Sequence, residues 1–459
     1  MEAAAPGQGS VLNAHKARSA NAASLEIATM LRQISAARIE LNIRKLVSFQ
    51  TRMTLSETES DTVGIGAARR WIKSEFDRYS RESGGRLRVA FDEFTQPAGQ
   101  RNPNPVQVVN VVGTLPGEQP ESRGRMYVVS GHYDSRNSGA LDAKGAAPGA
   151  DDDASGTAAV MEMARVMSKY KFDATLVFLA VAGEEQGLYG STHWAKMARE
   201  KNLDIEGMIT NDIIGASRAE DGHIDNRHVR VFAEGIPPVA QMPEELRTLA
   251  RTGGDNDTPS IELARKIKEA AAEYVPGMQV TVIYRRDRYL RGGDHSPFLD
   301  AGYAAVRMTE PNEIFQHQHQ DVRKEGGVQY GDLLEFDDFN YIAQVTRVNA
   351  AALASLALAP AAPKNVEVDT VKLENDTSLK WSANKEPDLA GYRIVWREDI
   401  APFWQHQRFA GNATSFTVKG VSKDNYIFGV EAVGKNGASS PAVYPKPFRP
   451  TQPARSQEK

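Results

Sequence analysis

The sequence predicts an α/β fold with a mostly parallel central sheet flanked by helices, followed by a smaller all-β sandwich. Between residues 106 and 284, apolar runs with the length of buried strands alternate with helical patterns, which is typical of crossover units on a parallel sheet. After a proline–alanine segment at 360–363, the pattern changes to short alternating strands. The length of 459 residues also favours two domains over one.

The larger domain is predicted for residues 23–360. A helix is expected at 24–46, because apolar residues recur there at helical spacing. Strands and helices then alternate up to a last helix that ends in an alanine-rich run. The expected elements are helices at 66–79, 155–170, 191–199, 261–274 and 337–358, and strands at 106–115, 125–130, 175–182, 205–214 and 278–284.

The smaller domain is predicted for residues 364–449. Five segments alternate apolar and polar residues between turn signals, and the spacing leaves room for the two further strands of a seven-stranded sandwich. Trp381, Tyr392 and Tyr426 are expected to form its aromatic core. The polar ends, residues 1–22 and 450–459, are expected to be flexible. Because the proline-containing junction has the character of a domain boundary, we expect the part before it to fold by itself.

Composition and charge count against several classes of function. The net charge of −4 provides no basic field for nucleic acid, and no apolar run reaches the roughly 20 residues of a membrane-spanning helix. The chain has no cysteine, so any metal must bind to histidine and carboxylate groups. A basic segment with aromatic residues at 284–291 is better explained as a substrate-facing loop or a solvated surface than as a nucleic-acid site. The first nine residues do not have the pattern of a signal peptide.

Carboxylates and histidines lie beside apolar runs in five short segments. In three of them, His132 and Asp134 follow one predicted strand, Asp212 closes another, and three consecutive acids at 151–153 precede a predicted helix. A surface loop would explain the first pair, and the helix macrodipole would explain the three acids. However, these segments fall at the carboxyl ends of predicted parallel strands, where ligands of such sheets bind.

The remaining two segments strengthen the indication of a metal site. Glu184 and Glu185 directly follow the apolar run at 176–182, and burying such charges is costly unless a metal or a hydrogen-bond network compensates them. The last segment contains His317 and His319. Five ligands of these types suffice for two zinc ions if one carboxylate bridges them. This favours an enzyme.

In this order, the segments resemble the zinc exopeptidase family of secreted bacterial leucyl-type aminopeptidases and glutamate carboxypeptidase. The resemblance covers about residues 40–358. Its motifs are His-x-Asp, Gly-Ala-Asp-Asp-x-Ala-Ser-Gly, Glu-Glu-x-Gly-Leu-x-Gly-Ser, Asn-Asp and Gly-Asp-His-Ser-Pro-Phe. The sandwich resembles a fibronectin type III domain through Trp381 and the segments at 387–392 and 426–430.

The resemblance implies two zinc ions per chain, with Asp152 as the bridging ligand. The branch of the family that this chain resembles places the last ligand at His319, whereas a simpler form of the motif would select His317 with Asp321. The implied ligands are His132, Asp152, Glu185, Asp212 and His319.

Further roles are expected next to these ligands. Asp134 would orient the ring of His132, and Glu184, adjacent to a ligand but not needed as one, would be the general base. The resemblance places Asp294 and His295 on the substrate side. Three carboxylate ligands and a bridging hydroxide would balance the charge of two zinc ions.

These expectations describe a dinuclear-zinc aminopeptidase that removes N-terminal residues from peptides. The alternatives are a carboxypeptidase on the same scaffold, a glutaminyl cyclase that uses one zinc, and a catalytically silent binding protein. Peptide substrates are the expected partners, and the oligomeric state is open. The resemblance favours a secreted or periplasmic location, and a cytoplasmic one stays open.

Overall fold

The computed structural model describes residues 22–237 and 242–448, and its larger part is built on one eight-stranded sheet. The strands of that sheet are β1 (Arg88–Gln96), β2 (Val106–Leu115), β3 (Arg125–His132), β4 (Thr175–Val181), β5 (Asp204–Asn211), β6 (His228–Ala233), β7 (Gln279–Ile283) and β8 (Ala305–Thr309). Their order across the sheet is β1–β2–β4–β3–β5–β8–β6–β7. Strands β4, β3, β5 and β8 are parallel neighbours, so their carboxyl ends meet at one end of the sheet.

Helices cover both faces of this sheet. They are α1 (Ala22–Leu31), α2 (Ala36–Val47), α3 (Gly64–Glu82), α4 (Gly156–Met167), α5 (Tyr189–Glu200), α6 (Glu244–Arg251), α7 (Pro259–Tyr274), α8 (Ser296–Asp300) and α9 (Phe339–Ala357). Val129 of β3 packs in a core with α4, α7 and α9, whereas Val128 packs with α5 and α8 on the opposite face. Burial on both faces explains why such strands are continuous apolar runs. Within the described residues, no helix is long and apolar enough to cross a membrane.

The predicted fold class is confirmed, with one error and several omissions among the elements. The helix expected at 24–46 is two helices, since α1 ends at Leu31 and the Ser35 hydroxyl caps α2 by accepting a hydrogen bond from the Arg38 N–H (3.4 Å). Strands β1, β6 and β8 and helices α6 and α8 were absent from the prediction. β1 has alternately exposed residues at the sheet edge, and Arg307 interrupts the apolar pattern of β8.

The C-terminal part consists of two small sheets that share a core. After a hairpin of β9 (Arg323–Glu325) and β10 (Val328–Tyr330), and after α9, its strands are β11 (Glu367–Asp369), β12 (Thr377–Lys380), β13 (Leu389–Arg397), β14 (His406–Gly411), β15 (Ser415–Val418), β16 (Ile427–Gly434) and β17 (Lys446–Phe448). The two sheets have the orders β15–β12–β11–β17 and β14–β13–β16. Trp381 and Tyr392 are buried in the shared core with ring centroids 5.2 Å apart, and Tyr426 packs against it.

The predicted all-β part is thus present, and the two strands for which the sequence left room are β14 and β17. The predicted junction at 360–363 lies between α9 and β11. The end segments expected to be flexible lie outside the described residues, except for Ala22, where α1 begins.

Buried charged groups join the C-terminal sandwich to α7. Arg397 of β13 bonds to Asp257 just before α7 (Nη2–Oδ2, 2.7 Å), and Lys266 of α7 bonds to Glu431 of β16 (Nζ–Oε1, 2.6 Å). All four side chains are buried. Truncation at Pro360 would remove the cover and partners of Asp257 and Lys266, so independent folding of the part before it stays a prediction that must overcome this loss. The sequence pattern could not show this contact, since α7 and the sandwich are far apart along the chain.

We expect Lys266→Met to destabilise the protein, because Glu431 would keep only Arg393 as a basic partner. Removing one partner of a buried ion pair typically costs about 3–5 kcal/mol. The measurement is the free energy of unfolding from a urea titration followed by circular dichroism. As a control, Lys419→Met removes an exposed ion pair with Asp376 and should leave that free energy nearly unchanged. Equal losses in the two variants would contradict the structural role of Lys266.

Candidate metal centre

Three adjacent strand ends bring predicted ligands together. His132 is the last residue of β3, Asp212 directly follows β5, and Glu185 follows β4 after a short turn. Because β3 lies between β4 and β5, the three side chains start from neighbouring parallel strands. Gly183, with a φ of +76°, turns the chain between β4 and the two glutamates, a conformation that glycine adopts at little cost.

The carboxylate of Asp152 lies between two histidines. Its Oδ1 is 3.1 Å from His132 Nε2, and its Oδ2 is 3.1 Å from His319 Nε2. Oδ1 of Asp212 lies 3.8 Å from the same nitrogen of His132, and Oε1 of Glu185 lies 3.0 Å from the same nitrogen of His319. Each set of three donor atoms could hold one metal ion, and Asp152 belongs to both sets.

The three consecutive acids at 151–153 have three different surroundings. The N–H groups of Asp151 and Asp152 donate to Oδ1 and Oδ2 of Asp332 (2.9 and 2.8 Å), which holds the backbone of the bridging residue. Oδ2 of Asp153 accepts a hydrogen bond from the His132 N–H (2.9 Å), and its Oδ1 accepts one from the first N–H of α4 (3.0 Å). The peptide bond between Asp152 and Asp153 is cis. Asp153 thus interacts with the start of α4, as the macrodipole explanation required, while Asp152 lies among the candidate ligands.

Asp134 is buried beneath the ligands and contacts two of their segments. Its Oδ1 lies 3.6 Å from His132 Nδ1, and its carbonyl oxygen lies 3.2 Å from the same nitrogen. The carboxylate also accepts hydrogen bonds from the N–H groups of Glu184 and Glu185 (3.3 and 3.2 Å) and from the Thr54 hydroxyl (3.0 Å). A proton on Nδ1 leaves Nε2 of His132 available to a metal. This position suits the orienting role predicted for Asp134.

Glu184 is half-buried and belongs to neither set of donor atoms. Burial raises the pKa of its carboxyl group well above the ordinary value. His132 opposes this shift, whereas the charges of Asp212, Glu185 and Asp294 add to it. Glu184 directly precedes a candidate ligand and is not itself one, which is the position that a base beside the metal needs.

The residues present fit a pair of zinc ions. Nε2 of His132 and Oε1 of Glu185 are buried, and their contacts with Asp152 and His319, at 3.1 and 3.0 Å, do not have the geometry of hydrogen bonds. Burial opposes the charged form of His319, but Glu185 and Asp152 outweigh it and raise the pKa of this histidine to about 10. Such an excess of buried negative charge is costly unless cations neutralise it. Imidazole and carboxylate donors are ligands that zinc accepts.

The structure brings His319, and not His317, to this group of donor atoms. The ring of His317 stacks on Phe336, with centroids 3.6 Å apart and an angle of 8° between the planes. His319 has a φ of +51°, in the left-handed region that residues other than glycine seldom adopt. This turn sends the two rings to different places, although residues two apart in an extended chain face the same side.

Asp294 and His295, which were predicted to bind substrate, are both buried. They are 1 % and 0 % exposed. Neither carboxylate oxygen of Asp294 makes a hydrogen bond among the described residues, and burial raises its pKa to about 7 against the opposing effect of His132. Nε2 of His295 lies 2.8 Å from the Arg286 carbonyl oxygen. Direct contact with a substrate does not fit this degree of burial, so both residues can act on the cleft only through their neighbours.

Two residues next to the ligands were not predicted from the sequence. Arg307, in the middle of β8, is 1 % exposed and bonds to Asp212 (Nη1–Oδ2, 2.8 Å). Its other terminal nitrogen donates to the Asp212 carbonyl oxygen (3.3 Å). The second is Asp332, which holds the backbone of Asp152 from 180 positions away along the chain. An arginine inside a short apolar stretch was a usable signal for the first, whereas nothing local distinguishes the second.

Comparisons with known proteins give a consistent family match. The sequence profile of peptidase family M28 matches residues 110–333. The chain is similar to a probable zinc metalloprotease of Leptosphaeria maculans, with 50 % identity over 92 % of this chain and 97 % of that protein. A probable zinc metalloprotease of Pyricularia oryzae is 48 % identical over 94 % of this chain and 86 % of that protein.

Solved structures with a similar fold include two bacterial proteins. LapB from Legionella pneumophila has a TM-score of 0.51 at 20 % identity, over 72 % of this chain and 75 % of that one. An aminopeptidase from Aneurinibacillus sp. strain AM-1 has a TM-score of 0.50 at 14 % identity, over 71 % of this chain and 95 % of that one. At these identities the likeness concerns the fold.

We expect His319→Ala to lower the zinc content of the purified protein to about one ion per chain, because one set of donor atoms would lose its imidazole. His317→Ala removes a ring of the same kind that stacks on Phe336 and should leave the content unchanged. Atomic absorption after gel filtration measures both. A loss of metal in the His317 variant alone would contradict this placement of the ligand.

Proposed function

Because this chain belongs to peptidase family M28, we propose that it is an aminopeptidase that removes N-terminal residues from peptides and uses two zinc ions. His132, Asp152 and Asp212 would hold one ion, and Asp152, Glu185 and His319 would hold the other. The proposal is supported by the two sets of donor atoms that share the Asp152 carboxylate. The same five residues are those that the sequence motifs implied.

Each side chain of the site then has a defined task in hydrolysis. When bound, two such ions polarise the scissile carbonyl group and lower the pKa of a water molecule. Glu184 takes the proton from the attacking water and delivers it to the nitrogen of the leaving amine. Asp134 keeps the ring of His132 oriented and fixes the backbone of both glutamates through their N–H groups.

An aminopeptidase is favoured by the carboxylates beside the ligands. Glu184 is half-buried and lies close enough to Asp212, Glu185 and Asp294 for their charges to raise its pKa. A carboxylate in this position can pair with the protonated α-amine of a peptide.

A carboxypeptidase needs a cation for the terminal carboxylate. Arg307 does not supply one, because its buried guanidinium is already bonded to Asp212 and to the Gly292 carbonyl oxygen. Arg101, which is exposed, donates to the Glu185 carbonyl oxygen (2.9 Å), so the paired-substrate test must decide between the two ends of the peptide.

A cyclase and a silent binding protein fit the same geometry less well. A glutaminyl cyclase that uses one zinc leaves the second set of donor atoms unexplained. A catalytically silent binding protein is expected to lose ligands, whereas all five candidate ligands are present and close together here. Secretion or a periplasmic location is part of the proposal, because the motifs resemble those of secreted enzymes. The seven strands in two sheets support a fibronectin type III-like sandwich.

We expect the purified protein to bind two zinc ions and to lose peptidase activity on chelation. Glu184→Gln should keep both ions but reduce turnover by about 10²- to 10⁴-fold, because only proton transfer is removed. Its neighbour provides the matched comparison, since Glu185→Gln should lose metal as well as activity. Metal analysis and kcat from steady-state kinetics measure the two effects. If Glu184→Gln kept full turnover, its role as the base would be wrong.

The end of the peptide that is recognised can be tested with paired substrates. We expect hydrolysis of a peptide with a free amine and an amidated C-terminus, and none of the same peptide after N-acetylation, because acetylation removes the positive charge that the acids attract. Release of the N-terminal residue is followed by chromatography. Cleavage only of a peptide with a free C-terminal carboxylate would identify a carboxypeptidase, and formation of pyroglutamate from an N-terminal glutamine would identify a cyclase.

A further inference from the structure

The basic segment at 284–291 is not the solvated surface that its composition suggested. Arg288 has a side chain only 10 % exposed, and Asp287 is buried. At the tip, Tyr289 and Leu290 are exposed, so these two apolar side chains point outward while Asp287 and Arg288 point inward. Charged groups that are buried in this way need partners, and the partners here are Arg307 of β8 and Glu313.

The first half of the connection joins this segment to a candidate metal ligand. Nη1 of Arg307 lies 2.8 Å from Asp212 Oδ2 and 3.6 Å from Asp287 Oδ2. The same guanidinium donates to the Gly292 carbonyl oxygen (2.9 Å). Arg307 therefore sits between Asp212 and the segment, with no exposed surface through which water could replace these bonds.

The second half joins the segment to Gln318, the residue directly before the candidate ligand His319. Nε of Arg288 lies 3.0 Å from Asp287 Oδ1, and its Nη1 lies 2.7 Å from Glu313 Oε2. The same oxygen of Glu313 accepts a hydrogen bond from the side-chain amide of Gln318 (3.3 Å). Gln318 is buried and directly precedes His319.

Glu313 forms ion pairs with three arginines. Besides Arg288, its carboxylate pairs with Arg230 of β6 (2.7 Å) and with Arg291 (2.9 Å). These bonds attach the chain between β8 and β9 to two other parts of the fold. That stretch contains no helix or strand, and His319 adopts a left-handed φ within it. A ligand on such a stretch depends on side-chain contacts for its position.

We propose that Glu313 is a positioning residue for His319. Its ion pairs with Arg230, Arg288 and Arg291 fix the stretch that carries this ligand, and its hydrogen bond from Gln318 fixes the residue directly before it. The inference rests on the proposed function in one respect, because it takes His319 to be a zinc ligand.

The test is the stepwise affinity for zinc of Glu313→Gln, which keeps the shape of the side chain and removes its charge. Titration in competition with a chromophoric chelator should show one binding step weakened by roughly 10- to 100-fold and the other unchanged. Glu325→Gln is the matched control, since Glu325 lies on the next strand in an exposed pair with Arg323. It should leave both steps unchanged.

Repeating the substitution in the His319→Ala variant separates a positioning effect on His319 from a general loosening of the structure. In His319→Ala, the ligand that Glu313 positions is gone, so adding Glu313→Gln should not weaken the remaining step further. Gln318→Met removes the hydrogen bond that the amide donates to Glu313 and the one that it accepts from Arg291. It should reproduce part of the effect if Glu313→Gln does not fold. In the metal-free protein, amide hydrogen exchange at 310–320 should be faster in Glu313→Gln than in Glu325→Gln.

The outcomes distinguish this inference from the proposed function. If both zinc affinities were unchanged in Glu313→Gln and in Gln318→Met, the inference would be overturned, while the two-zinc proposal would stand. Equal weakening with and without His319 would also overturn it, because the effect would not act through that ligand. A wild-type protein that binds fewer than two zinc ions would instead contradict the proposed function, and the inference with it.

Discussion

Asp152 offers one carboxylate oxygen to His132 and the other to His319, at 3.1 Å in both cases. Because Asp152 belongs to both sets of donor atoms, the two sets form one site. A shift of its side chain would separate the donor atoms of both sets. Its backbone is held by Asp332, which accepts hydrogen bonds from two successive N–H groups. The arrangement of the whole centre therefore depends on a contact between the chain before α4 and the chain that follows the β9–β10 hairpin.

The parallel sheet provides the rest of the framework by a simple geometric rule. Neighbouring parallel strands end on the same side, so the residues after β3, β4 and β5 meet without long loops. Close packing at the start of α4 adds the bridging residue to this end of the sheet. A Cβ on Gly131 would lie 2.5 Å from the Gly156 carbonyl carbon, so only glycine allows β3 and α4 to approach so closely. This approach lets Asp153 bond to both elements.

Buried charged groups in this protein occur in connected sets. Arg307 joins Asp212 to the segment at 284–294, and Arg397 and Lys266 join the sandwich to the helix α7 and its start. Ion pairs of this kind add little net stability, because desolvation offsets much of the attraction. Removing one member is costly, however, so such sets favour one relative position of the elements over others. The metal centre and the junction of the two parts of the chain are both organised in this way.

The sequence by itself determined the fold class, most elements of the parallel sheet, the metal-compatible donor types and the segments in which they occur. Apolar periodicity made this possible, because it records whether a side chain is buried and at which end of a strand a polar residue follows. The motifs implied Asp152 and His319, but only the tertiary structure showed Asp152 between the two histidines and the ring of His317 stacked on Phe336. It also buried Asp294 and His295, revealed Arg307 and Asp332 beside the ligands, and set the sandwich against α7. Most of these features are contacts between atoms of residues that are far apart in the chain, and one depends on a local turn. A pattern of burial along the sequence specifies neither long-range contacts nor the conformation of a single turn.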